Sequence, residues 1–175
     1  MSNREEKKLK VIEVLNKARS MELQAIHQYM NQHYNLDDRD LGELAKNIKL
    51  IAIDEMTHAE SFAERIKELG GEPTSELFGP VFKAQETETI FTFDTDAEAD
   101  AIEAYNEFAK VCSENGDSIT KKLFEQIIND EQEHLNYFDN VASHLENLGN
   151  VYLARIVGTS ASTGGTTKSF VNPAE

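Results

Sequence analysis

The stretch Asp54-Glu55-Met56-Thr57-His58 decides which fold and which chemistry this sequence predicts. On a helix, a glutamate and a histidine three residues apart lie about 60° apart around the axis, so both can face one object. The stretch recurs as Asp130-Glu131-Gln132-Glu133-His134, and a lone glutamate stands 33 residues before each Glu-x-x-His. These residue types indicate that the object is a metal, with six candidate ligands: Glu22, Glu55, His58, Glu98, Glu131 and His134.

An internal repeat relates the two halves of the chain. A shift of 76 residues superposes Glu22-x-x-Ala25-Ile26-x-x-Tyr29 on Glu98-x-x-Ala101-Ile102-x-x-Tyr105, and it also superposes the two Asp-Glu-x-x-His stretches. Chance rarely matches so many positions together. Two helical hairpins packed about a pseudo-two-fold axis would bring the candidate ligands to one centre.

Apolar residues recur at helical spacing in four long segments and one short one. We predict helices over residues 5–35, 41–69, 94 or 95–116 and 117–149, and a short amphipathic helix over 151–157. The sequence therefore predicts an all-α four-helix bundle with a short fifth C-terminal helix. Residues 1–157 would form one domain, and the Ser/Thr/Gly-rich tail 158–175 is expected to be poorly ordered on its own.

Residues 71–93 show no helical period, and Thr87–Phe93 is predicted to be extended. A helix of about 30 residues is about 45 Å long, so a connector needs about 13 residues to run back along it. This connector is long enough to act as a crossover between the second and third helices.

Composition excludes several classes of function. The formal net charge of −15 argues against binding nucleic acid or an anionic membrane, and it favours small cations. The single cysteine, Cys112, excludes an intramolecular disulfide framework and a four-cysteine metal site, and it is expected in the core. No apolar stretch resembles a signal peptide or a membrane span, so we expect a cytoplasmic protein.

Four glutamates and two histidines would balance two divalent ions, because buried carboxylates need positive charge. One glutamate from each of two helices and a Glu-x-x-His from each of the other two is the ligand set of di-iron and dimanganese carboxylate bundles. Ligand type alone does not choose between iron, manganese and zinc.

Some residues have simpler interpretations. Glu98 could instead complete a helix-capping box begun by Thr95. Tyr29 and Tyr105 could be core tyrosines, although their equivalent positions in the repeat favour a role as hydrogen-bond partners of the glutamates. Three histidines lack a repeat mate and are predicted at the surface or an interface: His27, His33 and His144.

The ungapped spacing resembles that of the bacterioferritins from Glu5 to about Val157. The resemblance is carried by Glu22-Leu23-x-Ala25-Ile26-x-Gln28-Tyr29, by Asp54-Glu55-Met56-x-His58-Ala59-Glu60 and by Asp130-Glu131-x-x-His134. It implies a ferritin-like fold, two-fold dimers assembled into a hollow 24-subunit shell, and storage of ferric mineral.

The resemblance also implies ferroxidase activity, the oxidation of Fe(II) to Fe(III) by O₂ or H₂O₂. The six candidate ligands would hold two iron ions per subunit, with Glu55 and Glu131 bridging. An electron-donor protein that releases the stored iron is a further candidate partner. Some bacterioferritins carry a histidine at the position of Leu50 that helps form an extra iron site, and this chain lacks it.

Met56 is rotated about 100° from Glu55 and so faces out of the bundle. Leu23, Ile26, Met30 and Ile53 can share that side, which predicts an apolar contact between two copies. In bacterioferritins the methionine at this position binds haem iron, so the resemblance implies a haem shared between two subunits. The alternative is an ordinary interface methionine.

Two other functions remain open at this point. One is a dimanganese or di-iron enzyme of the same bundle class that consumes peroxide. The other is a haem-binding electron-transfer protein whose dimetal site is only structural, a hypothesis that rests on Met56 alone.

Overall fold

Five helices account for the fold in the computed structural model, which describes residues 2–164 and 169–172. They are α1 Asn3–Asp38, α2 Gly42–Glu68, α3 Thr87–Glu114, α4 Ser118–Leu148 and α5 Asn150–Ile156. The predicted all-α, ferritin-like architecture is confirmed, including the crossover between α2 and α3 and the short fifth helix. Over the part of the chain just given, no helix is long and apolar enough to cross a membrane.

The bundle consists of two helical hairpins. Helix α1 packs along α2, α3 packs along α4, and α1 also contacts α3. The α3–α4 turn is tight because Gly116 adopts a φ of 77° and the next residue, Asp117, caps α4 by accepting a hydrogen bond from the Thr120 amide at 2.9 Å. The hairpins therefore place equivalent faces of the repeat opposite each other.

Two apolar clusters fill the interior, one towards each end of the bundle. The first includes Leu36, Ile48 and Phe138, and the second includes Leu15 and Phe124. Full burial of one such side chain stabilises the fold by about 1.5–3 kcal/mol. Buried polar residues occupy the level between the clusters on all four long helices. The apolar packing on either side thus fixes the height of the candidate metal ligands.

The crossover, residues 69–86, is held against α1 by side chains of α1. The Arg19 Nε donates to the Thr74 carbonyl at 2.9 Å, and the Gln28 side chain donates to the Phe82 carbonyl at 2.9 Å and accepts from the Phe82 amide at 2.8 Å. These bonds satisfy the polar backbone of a long connector that has no secondary structure of its own.

The predicted extended segment Thr87–Phe93 is wrong, because α3 begins at Thr87. Ile90 and Phe91 are fully buried in the first apolar cluster, and this packing outweighs the local preference of β-branched and aromatic residues for strands. Thr95 consequently lies inside α3, where its hydroxyl donates to the Phe91 carbonyl at 2.7 Å. The capping-box interpretation of Glu98 is excluded.

One of the three histidines predicted at the surface or an interface is buried in the core. His33 lies in the core with its Nδ1 2.8 Å from the Ala45 carbonyl oxygen, because the face of α1 that carries it packs against α2. That prediction is wrong for His33, whereas His27 and His144 are exposed.

Both described parts of the C-terminal tail lie against the bundle. Thr159 accepts a 2.7 Å hydrogen bond from the Glu43 amide and forms an isolated bridge with Leu41. Further along, the backbone amides of Phe170 and Val171 donate to Asp54 on α2. The tail therefore contacts α2 at its start and at its middle.

Candidate metal centre

Two overlapping groups of ligand atoms lie at mid-height in the bundle. Within each group, the ligand atoms all lie within 4.8 Å of one another, and every residue is buried. The groups are Glu22, Glu55, His58 and Glu131, and Glu55, Glu98, Glu131 and His134. Because Glu55 and Glu131 belong to both groups, their carboxylates stand where they could bridge two ions.

Local helix geometry and the hairpin pairing together aim both histidines at the shared glutamates. The His58 Nδ1 lies 3.1 Å from Glu55 Oε2 on its own helix and 3.3 Å from Glu131 Oε1 across the bundle. Likewise, the His134 Nδ1 lies 3.2 Å from Glu131 Oε2 and 3.2 Å from Glu55 Oε1. The Nδ1 atoms are therefore the imidazole nitrogens that face the centre.

Burial and neighbouring charges shift the pKa values of this cluster in opposite directions. Burial raises the pKa of Glu22 and Glu98 well above its ordinary value, and the neighbouring charge of the shared glutamates raises it further. Burial opposes ionisation of Glu55 as well, but the two histidines hold its pKa down. At His58, burial lowers the pKa of the imidazole, but hydrogen bonds to carboxylates outweigh that effect and raise the pKa well above its ordinary value.

Two carboxylate oxygens support a bound metal. Glu55 Oε1 and Glu131 Oε1 are buried and accept no hydrogen bond of good geometry from the described residues. Each oxygen has a histidine Nδ1 nearby, at 3.2 or 3.3 Å and without a well-aligned hydrogen bond, and a divalent ion at each group would satisfy both oxygens. The donor set, carboxylate oxygens with imidazole nitrogens, suits iron, manganese or zinc.

Each tyrosine of the repeat contacts a glutamate of the other half. The Tyr29 hydroxyl donates to Glu98 Oε1 at 2.5 Å, and the Tyr105 hydroxyl donates to Glu22 Oε1 at 2.6 Å. Burial, together with the nearby carboxylates, raises the pKa of both phenols well above the ordinary value. The two tyrosines are therefore held as protonated donors that fix the glutamates.

Two aspartates that the sequence did not single out contact the far side of the histidine rings. The Asp54 Oδ2 lies 3.4 Å from His134 Nε2, and the Asp130 Oδ2 lies 3.2 Å from His58 Nε2. A carboxylate on Nε2 holds the proton there and leaves the Nδ1 lone pair free for a metal. The signal was present in the sequence, because an aspartate precedes the Glu-x-x-His in both copies.

A cavity of about 410 Å³ between α1 and α3 reaches this centre. Glu22, Glu98 and the two shared glutamates, Glu55 and Glu131, form part of its wall, as does Phe78 of the crossover. Asp96 and Asp100 add carboxylates to the lining. The cavity offers a small cation an acidic route to the ligands.

Met56 lies apart from the metal-ligand cluster. Met56 is 55% exposed. The apolar residues predicted to share its side, Leu23, Ile26 and Met30 on α1 and Ile53 on α2, are partly buried. The methionine sulfur is therefore accessible from outside the bundle. Cys112 is buried in the second apolar cluster, as expected.

Comparison with known proteins gives consistent matches. The Ferritin-like domain family matches residues 12–148. Bacterioferritin of Desulfovibrio desulfuricans is 63% identical over 169 residues, which cover 97% of this chain and 94% of that protein. Bacterioferritin of Rhodobacter capsulatus is 36% identical over 141 residues, covering 80% of this chain and 87% of that protein.

A solved structure is also similar. The X-ray structure of Desulfovibrio desulfuricans bacterioferritin, described with its diiron site in different catalytic states, superposes with a TM-score of 0.93 at 63% identity. The match covers 94% of this chain and 96% of that one.

Proposed function

The chain belongs to the bacterioferritin family, and from that premise we propose that it is a ferroxidase that oxidises Fe(II) and stores the ferric product. The observation that carries the proposal is the pair of buried ligand groups that share Glu55 and Glu131. Neither peroxide consumption nor electron transfer with a structural dimetal site is favoured by the matches, which support iron storage.

Each ligand has a distinct part in the proposed centre. Glu22 and Glu98 would each bind one ion, Glu55 and Glu131 would bridge, and the two histidines would bind through Nδ1. The first two glutamates must lose their protons as the metal arrives, because their pKa is raised in the chain by itself. Two bound ferrous ions would each supply one electron to O₂ or H₂O₂.

The surrounding residues keep these ligands in place. Tyr29 and Tyr105 hold the two terminal glutamates, and Asp54 and Asp130 hold the two imidazoles. Fixed ligand geometry lowers the cost of ordering the site when iron binds. The cavity between α1 and α3 would admit ferrous iron and oxidant.

Beyond the single chain, we propose that 24 copies assemble into a storage shell from two-fold dimers. The exposed Met56 supports a haem held between two copies, with Met56 of each copy binding the haem iron. A thioether on a partly apolar outer face is a suitable donor for that group. An electron-donor protein for iron release and a cytoplasmic location stay predictions.

Aerobic addition of Fe(II) to the metal-free protein tests the ferroxidase function. Oxidation, followed by the ferric absorbance, should be rapid in the natural chain. Glu55→Ala and His134→Ala should each slow it at least about tenfold, since even partners outside the ligand set contribute that much to metal sites. The exposed residues Glu64 and His144 provide the controls Glu64→Ala and His144→Ala. Unchanged rates of Fe(II) oxidation in both ligand variants would contradict the assignment of ferroxidase activity to this centre.

Gel filtration and metal analysis test the storage function. A shell-sized assembly that takes up many iron ions per chain is expected. A small oligomer that contains manganese has no storage cavity and would contradict the proposal.

A further inference from the structure

The two histidine edges of the metal centre are not equivalent, although the repeat relates them. On one edge, the side chain of Asp130 beside His58 is 38% exposed. On the other edge, the side chain of Asp54 is 3% exposed and His134 is fully buried. Both imidazoles are buried, but something outside the repeat covers Asp54 and leaves Asp130 accessible to water.

The cover is residues 169–172 of the tail, which we call the tail cap. The Phe170 amide donates to Asp54 Oδ2 at 2.8 Å, and the Val171 amide donates to the same oxygen at 3.1 Å. The Ser169 side chain, itself buried, also hydrogen-bonds this carboxylate. Hydrogen bonds to an ionised carboxylate are about twice as strong as neutral ones, so Asp54 is firmly held.

Aromatic packing extends the cover to the metal ligand itself. The Phe170 ring lies edge-on to the His134 imidazole, with centroids 6.0 Å apart, and it also packs on Tyr137 at 5.1 Å. Such contacts restrict the rotation of the imidazole and exclude water from that edge. The tail cap therefore restrains His134 in two ways, through Asp54 and through its ring.

A restrained imidazole binds metal better than a mobile one. Partners that orient a metal-bound histidine typically change metal affinity or activity by about 10- to 100-fold, because they fix the ring orientation and its proton. Asp130 has the same relation to His58 but stands partly in water, where an ionic hydrogen bond is weaker. The two metal positions should therefore differ in affinity.

We propose that the tail cap is a positioning element for one metal position only, that of Glu55, Glu98, Glu131 and His134, and raises its affinity above that of the His58 position. The proposal rests on the proposed dimetal function. Residues 169–172 would thus raise the metal affinity of a site whose ligands all lie in the helices.

Titration of the metal-free full-length protein with Co(II), followed by visible absorbance, tests the proposal one position at a time. His58→Ala leaves the His134 position, and His134→Ala leaves the His58 position. Adding Phe170→Ala should weaken Co(II) binding about tenfold in the first background and leave it unchanged in the second. Phe82→Ala, at an exposed phenylalanine of the crossover, is the matched control.

A second measurement uses the chain without ligand substitutions. The natural chain should bind two Co(II) ions. In a variant that ends at Lys168, the affinity for one of them should fall about tenfold and the affinity for the other should not change. Asp54→Asn should reproduce that loss, whereas Asp130→Asn should weaken the other equivalent. Melting temperatures of all variants show whether the fold is retained.

The outcomes separate the tail cap from the function on which it rests. Equal weakening at both positions would make the tail cap a general packing element and overturn the proposal, as would no weakening at either. If the natural chain takes up no Co(II), the proposed dimetal function fails. If it takes up two equivalents that Phe170→Ala leaves unchanged, only the role of the tail cap fails.

Discussion

Tyr105 on α3 donates a 2.6 Å hydrogen bond to Glu22 on α1, 83 residues away in the chain. Both groups are buried, and the helices that carry them belong to different hairpins. The bond therefore links the two halves of the repeat at the level of the candidate metal centre. It also orients the Glu22 carboxylate, whose contact with His58 Nδ1 is longer, at 3.8 Å.

Tyr105→Phe should weaken divalent metal binding at the position of Glu22 and His58. The substitution removes the hydroxyl without changing the ring, and a lost partner of this kind costs about tenfold in affinity. Co(II) titration of the metal-free protein in the His134→Ala background measures it. Tyr34→Phe, at a residue that is 63% exposed, is the control. Equal affinities for His134→Ala with and without Tyr105→Phe would contradict the assigned role.

If haem is held between two copies as proposed, Met56→Ala should remove it from the purified protein. Alanine has no sulfur that could bind the haem iron. Because Met56 is exposed, its replacement should not unfold the chain, so a loss of haem would reflect the loss of the sulfur. The intensity of the Soret band relative to protein absorbance measures the change. Thr57→Ala changes the exposed neighbour on the same turn and should leave the spectrum unchanged. An unaltered Soret band in Met56→Ala would remove Met56 from the haem site.

Gly42→Ala should displace the start of the tail. A Cβ at Gly42 would lie 2.0 Å from the Thr159 carbonyl oxygen and 2.7 Å from the Ala161 amide nitrogen, both backbone atoms. Overpacking of this kind typically costs about 1–3 kcal/mol. Thermal unfolding and the rate of limited proteolysis in the tail measure the effect.

Gly79→Ala is the matched control for that substitution. Its Cβ would meet the flexible Gln24 side chain at 3.2 Å rather than backbone. A Gly42→Ala protein that resists proteolysis as well as the control would show that residues 159–161 do not pack against α2.

Asp117→Ala should destabilise the fold at neutral pH and destabilise it less in acid. Asp117 caps α4 and accepts hydrogen bonds from Arg65 at 3.0 and 2.9 Å. Loss of an N-cap typically costs about 0.5–2 kcal/mol. Asp117→Asn retains a capping side chain and should cost less. Denaturant unfolding at several pH values measures both variants.

The pH dependence follows from the charge of Asp117. Burial opposes its ionisation, but hydrogen bonds from Thr120 and Arg65 hold the pKa of Asp117 below its ordinary value of 3.8. A carboxylate with a lowered pKa stabilises the fold above pH 3.8, and that contribution is lost as the pH falls through the folded pKa. The gap between the natural chain and Asp117→Ala should therefore narrow in acid. A gap that stays constant would contradict the ionic contribution.

The sequence by itself determined the helical class, the crossover and the membership of the candidate ligand set. The helices and the candidate ligands are periodic or repeated, and the crossover is a stretch without a helical period, so all three are visible along the chain without knowledge of its contacts. The spacing of Glu55 and His58 places both on one helical face whatever the tertiary structure, and the 76-residue shift carries the same pattern to the second half.

Only the tertiary structure decided where α3 begins and that His33 is buried. It also decided which aspartate and which tyrosine hydrogen-bond each candidate ligand. The start of α3 depends on burial of Ile90 and Phe91 in a core built by other helices. The pairing of Asp54 with His134 crosses from one hairpin to the other, and the tail reaches Asp54 from 116 residues away. Local patterns cannot specify such contacts, because their energy is gained only when distant segments of the chain have already packed together.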